Sequence, residues 1–276
     1  MISLIHGRRK LALALLILSV ILITVILVSG YASMNKAMET DFSRKNQAPS
    51  LKYPFGTDWL GRDMFSRTLA GLSLSIRIGI VTAAFSSVVA LILGALSAIL
   101  GKAVDSFITW LIDLIMGVPH ILLLILISFA CGKGFWGLVT GIIFTHWMSL
   151  ARVLRGEIMQ LKQSGYVQVA QKLGVGRLQI LTRHMLPHLF PQFIVGLVLL
   201  FPHAILHEAS ITFLGFGLPP EQPAIGIILS ESMRYLVTGS WWLAVFPGIL
   251  LVMVVVMFDY IGNTLRMLLD PSTYHE

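Results

Sequence analysis

Long apolar runs separated by short polar segments make up most of the chain, and six of these runs are long enough to cross a lipid bilayer as helices. An α-helix needs about 20 mostly apolar residues to span the hydrocarbon core. The predicted spans lie near residues 10–30, 74–100, 105–130, 134–154, 189–213 and 240–264. The pattern therefore predicts an all-α membrane protein with six transmembrane helices.

Basic residues before the first apolar run set its predicted orientation. Three of them, at positions 8–10, precede an uncharged run at 11–30 that is long for the core of a signal peptide. Because cytoplasmic segments are enriched in Lys and Arg, we expect a retained anchor with its N-terminus in the cytoplasm. Six crossings then place 31–73 and 214–239 outside, and 155–188 and the C-terminus inside.

Polar segments divide the chain into three predicted parts. The loop at 155–188 and its flank carry six Lys and Arg residues against a single acid, Glu157, which favours the cytoplasmic side. The predicted parts are an N-terminal transmembrane anchor at 1–30, an extracytoplasmic loop with a surface helix at 31–73, and a membrane core at 74–271 that contains the loop at 156–188.

Composition supports a membrane-embedded chain. With 56% hydrophobic and 12% charged residues, the protein cannot hide its apolar surface inside a water-soluble domain. The formal charge of +7 comes with 20 Lys and Arg, which the positive-inside pattern explains better than nucleic-acid binding does. A single cysteine, Cys131, excludes an internal disulfide, so helix packing in lipid must provide the stability.

The polar segment that starts at Gly165 carries the first functional pattern. Gly174 and Gly176 are expected to break the helix into two arms, and Pro187 is expected to restart it at the next span. This arrangement resembles the cytoplasmic coupling loop of ABC-importer permeases. The resemblance implies contact with a separate ATPase through Tyr166, Val167, Ala170, Leu173, Gly174, Arg177 and Pro187.

A second motif precedes the second span. Residues 55–67 read FGTDWLGRDMFSR, in which two acids and two arginines are framed by glycines. We expect a tight turn held by charge-assisted hydrogen bonds, leading into a helix at the membrane surface. The positions that define it are Gly56, Asp58, Gly61, Arg62, Asp63 and Arg67. The element is similar to one in the dipeptide, oligopeptide and nickel permeases, in the subunit usually labelled C, and we favour a structural brace over direct substrate contact.

The resemblance implies the type I fold of ABC-importer permeases and a chain that needs partners. The GxxxxGK[ST] loop that cradles nucleotide phosphates is absent from the sequence, so we expect ATP and Mg²⁺ on separate subunits and no cofactor on this chain. The expected partners are a sister permease forming a heterodimer, two cytoplasmic ABC ATPases, an extracytoplasmic substrate-binding protein and the lipid of a bacterial cytoplasmic membrane.

Histidines within the predicted spans are the candidate chemistry of the translocation path. His203 and His207 are one helical turn apart, so both imidazoles face one side and could share a transition-metal ion. Glu208, His146 and His120 are further candidates for the path. The spacing of the pair also resembles that of nickel-type members of the family. The alternative is that each histidine hydrogen-bonds a neighbouring helix.

Three functions stay open at this point. One is import of nickel or a related transition metal, free or chelated, and the second is import of di- or oligopeptides by the same architecture. The third is a channel or a stand-alone secondary carrier, which the coupling loop disfavours because such a protein has no ATPase to bind. The histidine pair favours metal over peptide. Neither HExxH nor HxxEH occurs in the sequence, which argues against a zinc protease.

Overall fold

The computed structural model describes residues 2–269, with side chains from residue 10 onward. Within this range the chain is helical, and its extended segments form only an isolated bridge between Thr57 and Asp63. The helices are α1 (Ile2–Ala32), α2 (Met34–Met38), α3 (Met64–Ile99), α4 (Lys102–Met116), α5 (His120–Ala130), α6 (Phe135–Lys162), α7 (Gly165–Lys172), α8 (Arg177–Ile180), α9 (Leu186–Phe213), α10 (Ile225–Leu236) and α11 (Trp242–Leu269).

Among the described residues, five helical segments are long and apolar enough to cross a membrane, and α4 with α5 supplies a sixth if that bent pair counts as one span. The five are Lys10–Ala32, Met64–Ile99, Phe135–Lys162, Arg177–Phe213 and Trp242–Leu269. The predicted all-α membrane fold is therefore confirmed. The predicted boundary at 271 lies outside the described residues.

The third predicted span is not a straight helix. Where one helix was expected over 105–130, α4 and α5 meet at 97°. Pro119 explains the bend, because its nitrogen cannot donate a helical hydrogen bond and its ring disfavours helical geometry at Val118. With 11 residues, α5 is only about 16 Å long, roughly half the thickness of the hydrocarbon core.

The second span begins earlier than predicted: α3 starts at Met64, directly after Asp63, and continues unbroken to Ile99. The helix expected after the motif at 55–67 is therefore the start of this span, and the short α2 is the other α-helix described within 31–73. The Asp63 carboxylate accepts a hydrogen bond from the backbone N–H of Phe65, which caps the helix. At 36 residues, α3 is about 54 Å long, so it extends beyond the hydrocarbon core.

Close packing against α3 organises the bundle. A Cβ atom on Gly30 of α1 would lie 2.5 Å from the Cβ of Ser73, so only glycine allows this approach of the two helices. The Ser73 hydroxyl then donates to the carbonyl of Leu27 at 2.9 Å. On its other sides, α3 places Gly79 against α9 and Gly94 against the backbone of α6. Small residues thus bring three neighbouring helices into contact with one central helix.

One end of the bundle is built around the start of α3. Phe55, just before this helix, stacks on Phe246 of α11 with ring centroids 4.8 Å apart. Phe55 also packs against the apolar cluster that includes Ile225 and Ile228 of α10, a helix within the segment that the sequence predicts as an outer loop. We refer to this end, formed by 31–63 and 214–241, as the motif end.

The opposite end is built around the finish of α3. Ala95 of α3 packs in one apolar cluster with Val167 of α7 and Ile180 of α8. We refer to this end, formed by residues 163–188, as the coupling end. The two ends lie on opposite sides of the bundle, as the sequence-based topology requires. The assignment of the coupling end to the cytoplasm stays a prediction.

The orientation can be tested with exposed positions at the two ends. In a Cys131→Ser background, we expect Ala48→Cys and Glu221→Cys at the motif end to react with a membrane-impermeant maleimide in intact cells, whereas Gln163→Cys at the coupling end reacts only after permeabilisation. All three positions are exposed on the bundle, so access is decided by the membrane. Labelling of position 163 in intact cells would reverse the topology.

Candidate functional site

The carboxylate of Asp58 lies at the centre of a buried ion-pair network at the motif end. Asp58 is 0% exposed, and its Oδ2 accepts hydrogen bonds from Arg62 Nε at 2.6 Å and Arg67 Nη1 at 3.0 Å. Its Oδ1 accepts from the backbone N–H groups of Leu60 and Arg62. The tight turn with charge-assisted hydrogen bonds expected from the sequence is therefore present, with Asp63 as the cap of α3.

Helix α10 completes this network. Glu231 accepts a hydrogen bond from Arg67 Nη2 at 2.5 Å and lies 3.6 Å from Arg62 Nη2. The Trp59 ring stacks on Tyr235 with centroids 4.8 Å apart, and both guanidinium groups lie over the same indole. Sequence reasoning missed Glu231 because it is distant in the chain and no local motif marks it. The turn thus holds the start of α3 against α10, which is the geometry of a brace.

Two glycines allow the turn to close. Gly56 and Gly61 have φ angles of +69° and +74°, in the left-handed region that other residues rarely adopt. Gly61 also lies against the backbone carbonyl of Asp41, where a Cβ atom would clash. Hydrogen bonds from Ser43 and Arg44 lower the pKa of Asp41 to about 2, so this acid is ionised throughout the neutral range and its ion pair with Arg44 persists.

At the coupling end, the chain breaks into two arms as the sequence predicted. Helix α7 ends at Lys172, Gly174 takes a φ angle of +81°, and α8 begins at Arg177. The residues expected to contact an ATPase divide into two groups. Val167 is fully buried and Ala170 partly buried against the bundle, so they hold α7 in place. The exposed members are Tyr166, Leu173, Gly174, Arg177 and Pro187.

Large apolar side chains are exposed on these arms. Leu173 is 78% exposed, and Tyr166, Val169 and Leu178 are exposed as well. Three of them, at positions 166, 169 and 173, repeat at helical spacing and therefore share one face of α7 and its end. At an end of the bundle that is rich in Lys and Arg, such a patch is suited to a protein partner.

Pro187 lies in the first turn of α9, where the sequence predicts that the helix restarts. The chain is already helical before it, because α8 leads into α9 through a π-type turn at Leu181–Met185. In that turn the N–H of Leu186 bonds to the carbonyl of Leu181, five residues earlier. The wider turn accommodates the ring of Pro187, which in a regular α-helix clashes with the carbonyl four residues before it.

A cavity of about 560 Å³ opens where α4 and α5 bend apart. Its walls are the bend itself, at residues 115–120, together with one face of α6 and one face of α9. The lining contains methionine, leucine and isoleucine side chains together with Thr145, Ser149 and histidines. Among the described residues, no Asp or Glu lines this cavity. The result is a neutral chamber of mixed polarity.

Three histidines converge on this cavity from three separate helices. His120 begins α5, His146 lies within α6 and His207 lies within α9. Each offers a ring nitrogen, and these nitrogens all lie within 4.8 Å of one another. The ring centroids are 4.3 Å apart for His120 and His207, 5.0 Å for His120 and His146, and 5.1 Å for His146 and His207.

The predicted pairing of His203 with His207 is only partly correct. His203 lines the same cavity but is not one of the three residues whose nitrogens converge. His207 has its partners on other helices instead, because the bend at Pro119 turns His120 towards α6 and α9. Sequence spacing along one helix could not show this arrangement, although it did identify every histidine that takes part.

Glu208 lies outside the cavity, against the prediction that it belongs to the path. It is 0% exposed, and its Oε1 accepts a hydrogen bond from the hydroxyl of Thr212 at 3.0 Å. One residue along a helix turns a side chain by about 100°. Glu208 therefore points away from the face that carries His207.

Comparison with known proteins gives consistent results. Residues 90–273 match the family described as the binding-protein-dependent transport system inner membrane component. The dipeptide transport system permease protein DppC of Bacillus subtilis (strain 168) is 28% identical over 265 residues, covering 96% of this chain and 83% of that protein. The oligopeptide transport system permease protein OppC of the same organism is 32% identical over 264 residues, covering 96% and 86%.

A solved structure supports the fold alone. A chain of the MetNI methionine ABC transporter in an inward-facing conformation aligns with a TM-score of 0.61 at 16% identity, covering 75% of this chain and 98% of that one.

The buried network at the motif end leads to a stability prediction. Replacing Asp58 with Asn leaves Arg62 and Arg67 buried beside Glu231 alone, and breaking a buried ion pair in this way costs about 3–5 kcal/mol. We expect a clearly lower midpoint for Asp58→Asn in thermal unfolding of the detergent-solubilised protein. Asp41→Asn, which removes a partly exposed pair at the same end, should lower this midpoint much less. Equal losses in the two variants would contradict the brace.

Proposed function

Because the chain belongs to the family of binding-protein-dependent transport system inner membrane components, it is a non-catalytic permease subunit of an ATP-driven ABC importer, and we propose that it carries di- or oligopeptides. The observation that carries this cargo is the similarity to DppC and OppC, which extends over 96% of the chain. Such a permease works with ATPase and binding-protein partners. We propose a sister permease, two ATPases and one extracytoplasmic binding protein.

The cavity supports a peptide cargo. Its volume of about 560 Å³ falls in the range of roughly 300–1,000 Å³ that is usual for small-molecule sites. Its neutral walls place no fixed acid beside either end of a zwitterionic peptide, and they combine hydroxyl groups with apolar side chains. A wall of this kind suits a chain of varied sequence. The sister subunit would close the open side.

The coupling end supports ATP-driven opening. Helix α7 follows α6 after only two residues, and α6 carries His146 on the cavity wall. Near the same end, Arg155 of α6 pairs with Asp105 of α4, with Nη2 and Oδ2 2.6 Å apart. A second ion pair joins Arg152 and Asp113 on the same two helices. A partner that displaces α7 therefore moves two walls of the cavity together.

ATP can drive this movement only if it binds the open and closed states of the ATPases with different affinities. In our proposal, the closed ATPase dimer draws the exposed face of α7 towards that of the sister subunit. The α6 and α4 walls follow, and hydrolysis releases them. This chain contributes the helices that transmit the movement and half of the translocation path.

The coupling proposal is tested by charging the exposed apolar patch. We expect Val169→Asp combined with Leu173→Asp to insert normally but to lose most co-purifying ATPase, because two carboxylates cannot be buried in an apolar groove. Gln179→Asp is the matched control, since this residue is exposed on α8 and adds the same kind of charge. Recovery of the ATPases at wild-type yield with the double variant would exclude this docking face.

A transition metal such as nickel is the second candidate cargo. The observation that favours it is the convergence of His120, His146 and His207 in the cavity. The named relatives do not support it, since both are peptide permeases by name. The metal interpretation therefore ranks below peptide import.

Cargo is decided by uptake in cells that lack only this permease. We expect deletion to abolish uptake of a radiolabelled tripeptide and to leave ⁶³Ni²⁺ uptake unchanged, with full rescue by the wild-type chain. The coupling double variant Val169→Asp with Leu173→Asp serves as a control that cannot rescue. Loss of ⁶³Ni²⁺ uptake with intact tripeptide uptake would reverse the ranking of the two cargoes.

A further inference from the structure

We propose that His120, His146 and His207 form a transition-metal site inside the translocation cavity, with three imidazole nitrogens as ligands for Ni²⁺, Zn²⁺, Co²⁺ or Cu²⁺. Binding itself is a property of this chain. Only its part in transport rests on the proposed function: a peptide that carries a bound metal ion would place that ion at this site during passage.

Hydrogen bonding holds the His146 imidazole in the tautomer that can bind a metal ion. Its Nδ1 lies 2.9 Å from the backbone carbonyl of Ile142, which can only accept a hydrogen bond. Nδ1 therefore carries the proton, and Nε2 presents a free lone pair. Histidine ligands in metalloproteins typically donate their other N–H to a carbonyl in this way, which fixes the ring orientation and the tautomer.

The free nitrogens are not used by the fold. Within the described part of the chain, His146 Nε2 and His120 Nδ1 are buried and have no hydrogen-bond partner. Buried polar atoms are normally hydrogen-bonded, so two such atoms in one cluster require an explanation. Simple hydrogen bonding between helices, the alternative raised by the sequence, leaves both nitrogens unsatisfied. A bound cation would satisfy both.

The distances between the three histidine nitrogens are close to those of a metal site. Metal–nitrogen bonds of about 2.0–2.1 Å in tetrahedral geometry place two ligand nitrogens about 3.3 Å apart. The three nitrogens already lie within 4.8 Å of one another, so rotations of the side chains can complete the site.

The chemistry of the site selects the class of ion. Imidazole is a good ligand for nickel, zinc and copper, whereas Mg²⁺ and Ca²⁺ require oxygen ligands. Among the described residues, no carboxylate lines the cavity. Three neutral ligands leave the charge of the ion uncompensated, which favours release over permanent retention. His203 lies one turn along α9 on the same wall.

The test uses the assembled importer purified through an affinity tag that contains no histidine. The complex in lipid nanodiscs is titrated with Cu²⁺ and read by electron paramagnetic resonance, and with Ni²⁺ and read by calorimetry. We expect one ion per copy of this chain, with nitrogen hyperfine structure. His146→Gln and His207→Gln should each weaken binding by more than the roughly 10–100-fold that loss of an outer-shell partner costs. His188→Gln, an exposed histidine at the coupling end, is the matched control and should bind as wild type.

Absence of binding, or binding that both cavity variants retain, would overturn the site. If the variants fail to assemble, the wild-type complex decides the question. Ni²⁺ should then protect His207 from carbethoxylation, and an unprotected His207 would overturn the proposal. Tripeptide-stimulated ATP hydrolysis in the same preparation tests the cargo separately. Metal binding without peptide stimulation would contradict only peptide import, and the reverse would contradict only this site.

Discussion

The backbone nitrogen of Pro119 cannot donate a hydrogen bond, and the cavity of this protein exists because the chain turns there. In hydrocarbon, every unpaired backbone carbonyl or amide is costly, so a broken helix at membrane depth must face protein or a water-filled space. The bend at 115–120 does this by lining the cavity. A straight helix over 105–130 would close this chamber and carry His120 away from His146 and His207.

Helix α6 connects the two ends of the molecule to this chamber. It begins near the motif end, contributes His146 to the cavity wall, and ends beside the coupling arms. Arg155 of α6 also forms an ion pair with Asp105 of α4, which links these two helices. At the motif end, by contrast, the network around Asp58 holds α3 and α10 as a rigid frame. In our proposal, the motif end stays in place while a partner displaces the coupling end.

The sequence predicts those features that depend on local chemistry. Hydropathy located the spans, the glycines at 174 and 176 located the break between the coupling arms, and the acid–arginine pattern predicted the turn around Asp58. The sequence does not predict the features that depend on residues distant in the chain. Glu231 has no local signal, and the convergence of three helices on one metal-binding geometry follows from a bend whose angle the sequence does not state.

The cargo prediction shows a different limit. The spacing of His203 and His207 on one helix favoured nickel, yet the converging set uses His207 with residues from two other helices, and the named relatives are peptide permeases. A pair on one face is sufficient to suggest a ligand set but cannot establish which side chains meet.

The π-type turn at Leu181–Met185 determines how α8 is rotated about the helix axis relative to α9. A π-turn contains one residue more than the α-turn it replaces, and each residue corresponds to about 100° of rotation about the helix axis. The extra residue therefore sets the angular offset between α8 and α9. With a regular turn, Leu178 would swing by a quarter-turn or more around the axis, and the buried Ile180 would leave its cluster at the end of α3. One added backbone residue thus decides which face of the arm meets solvent.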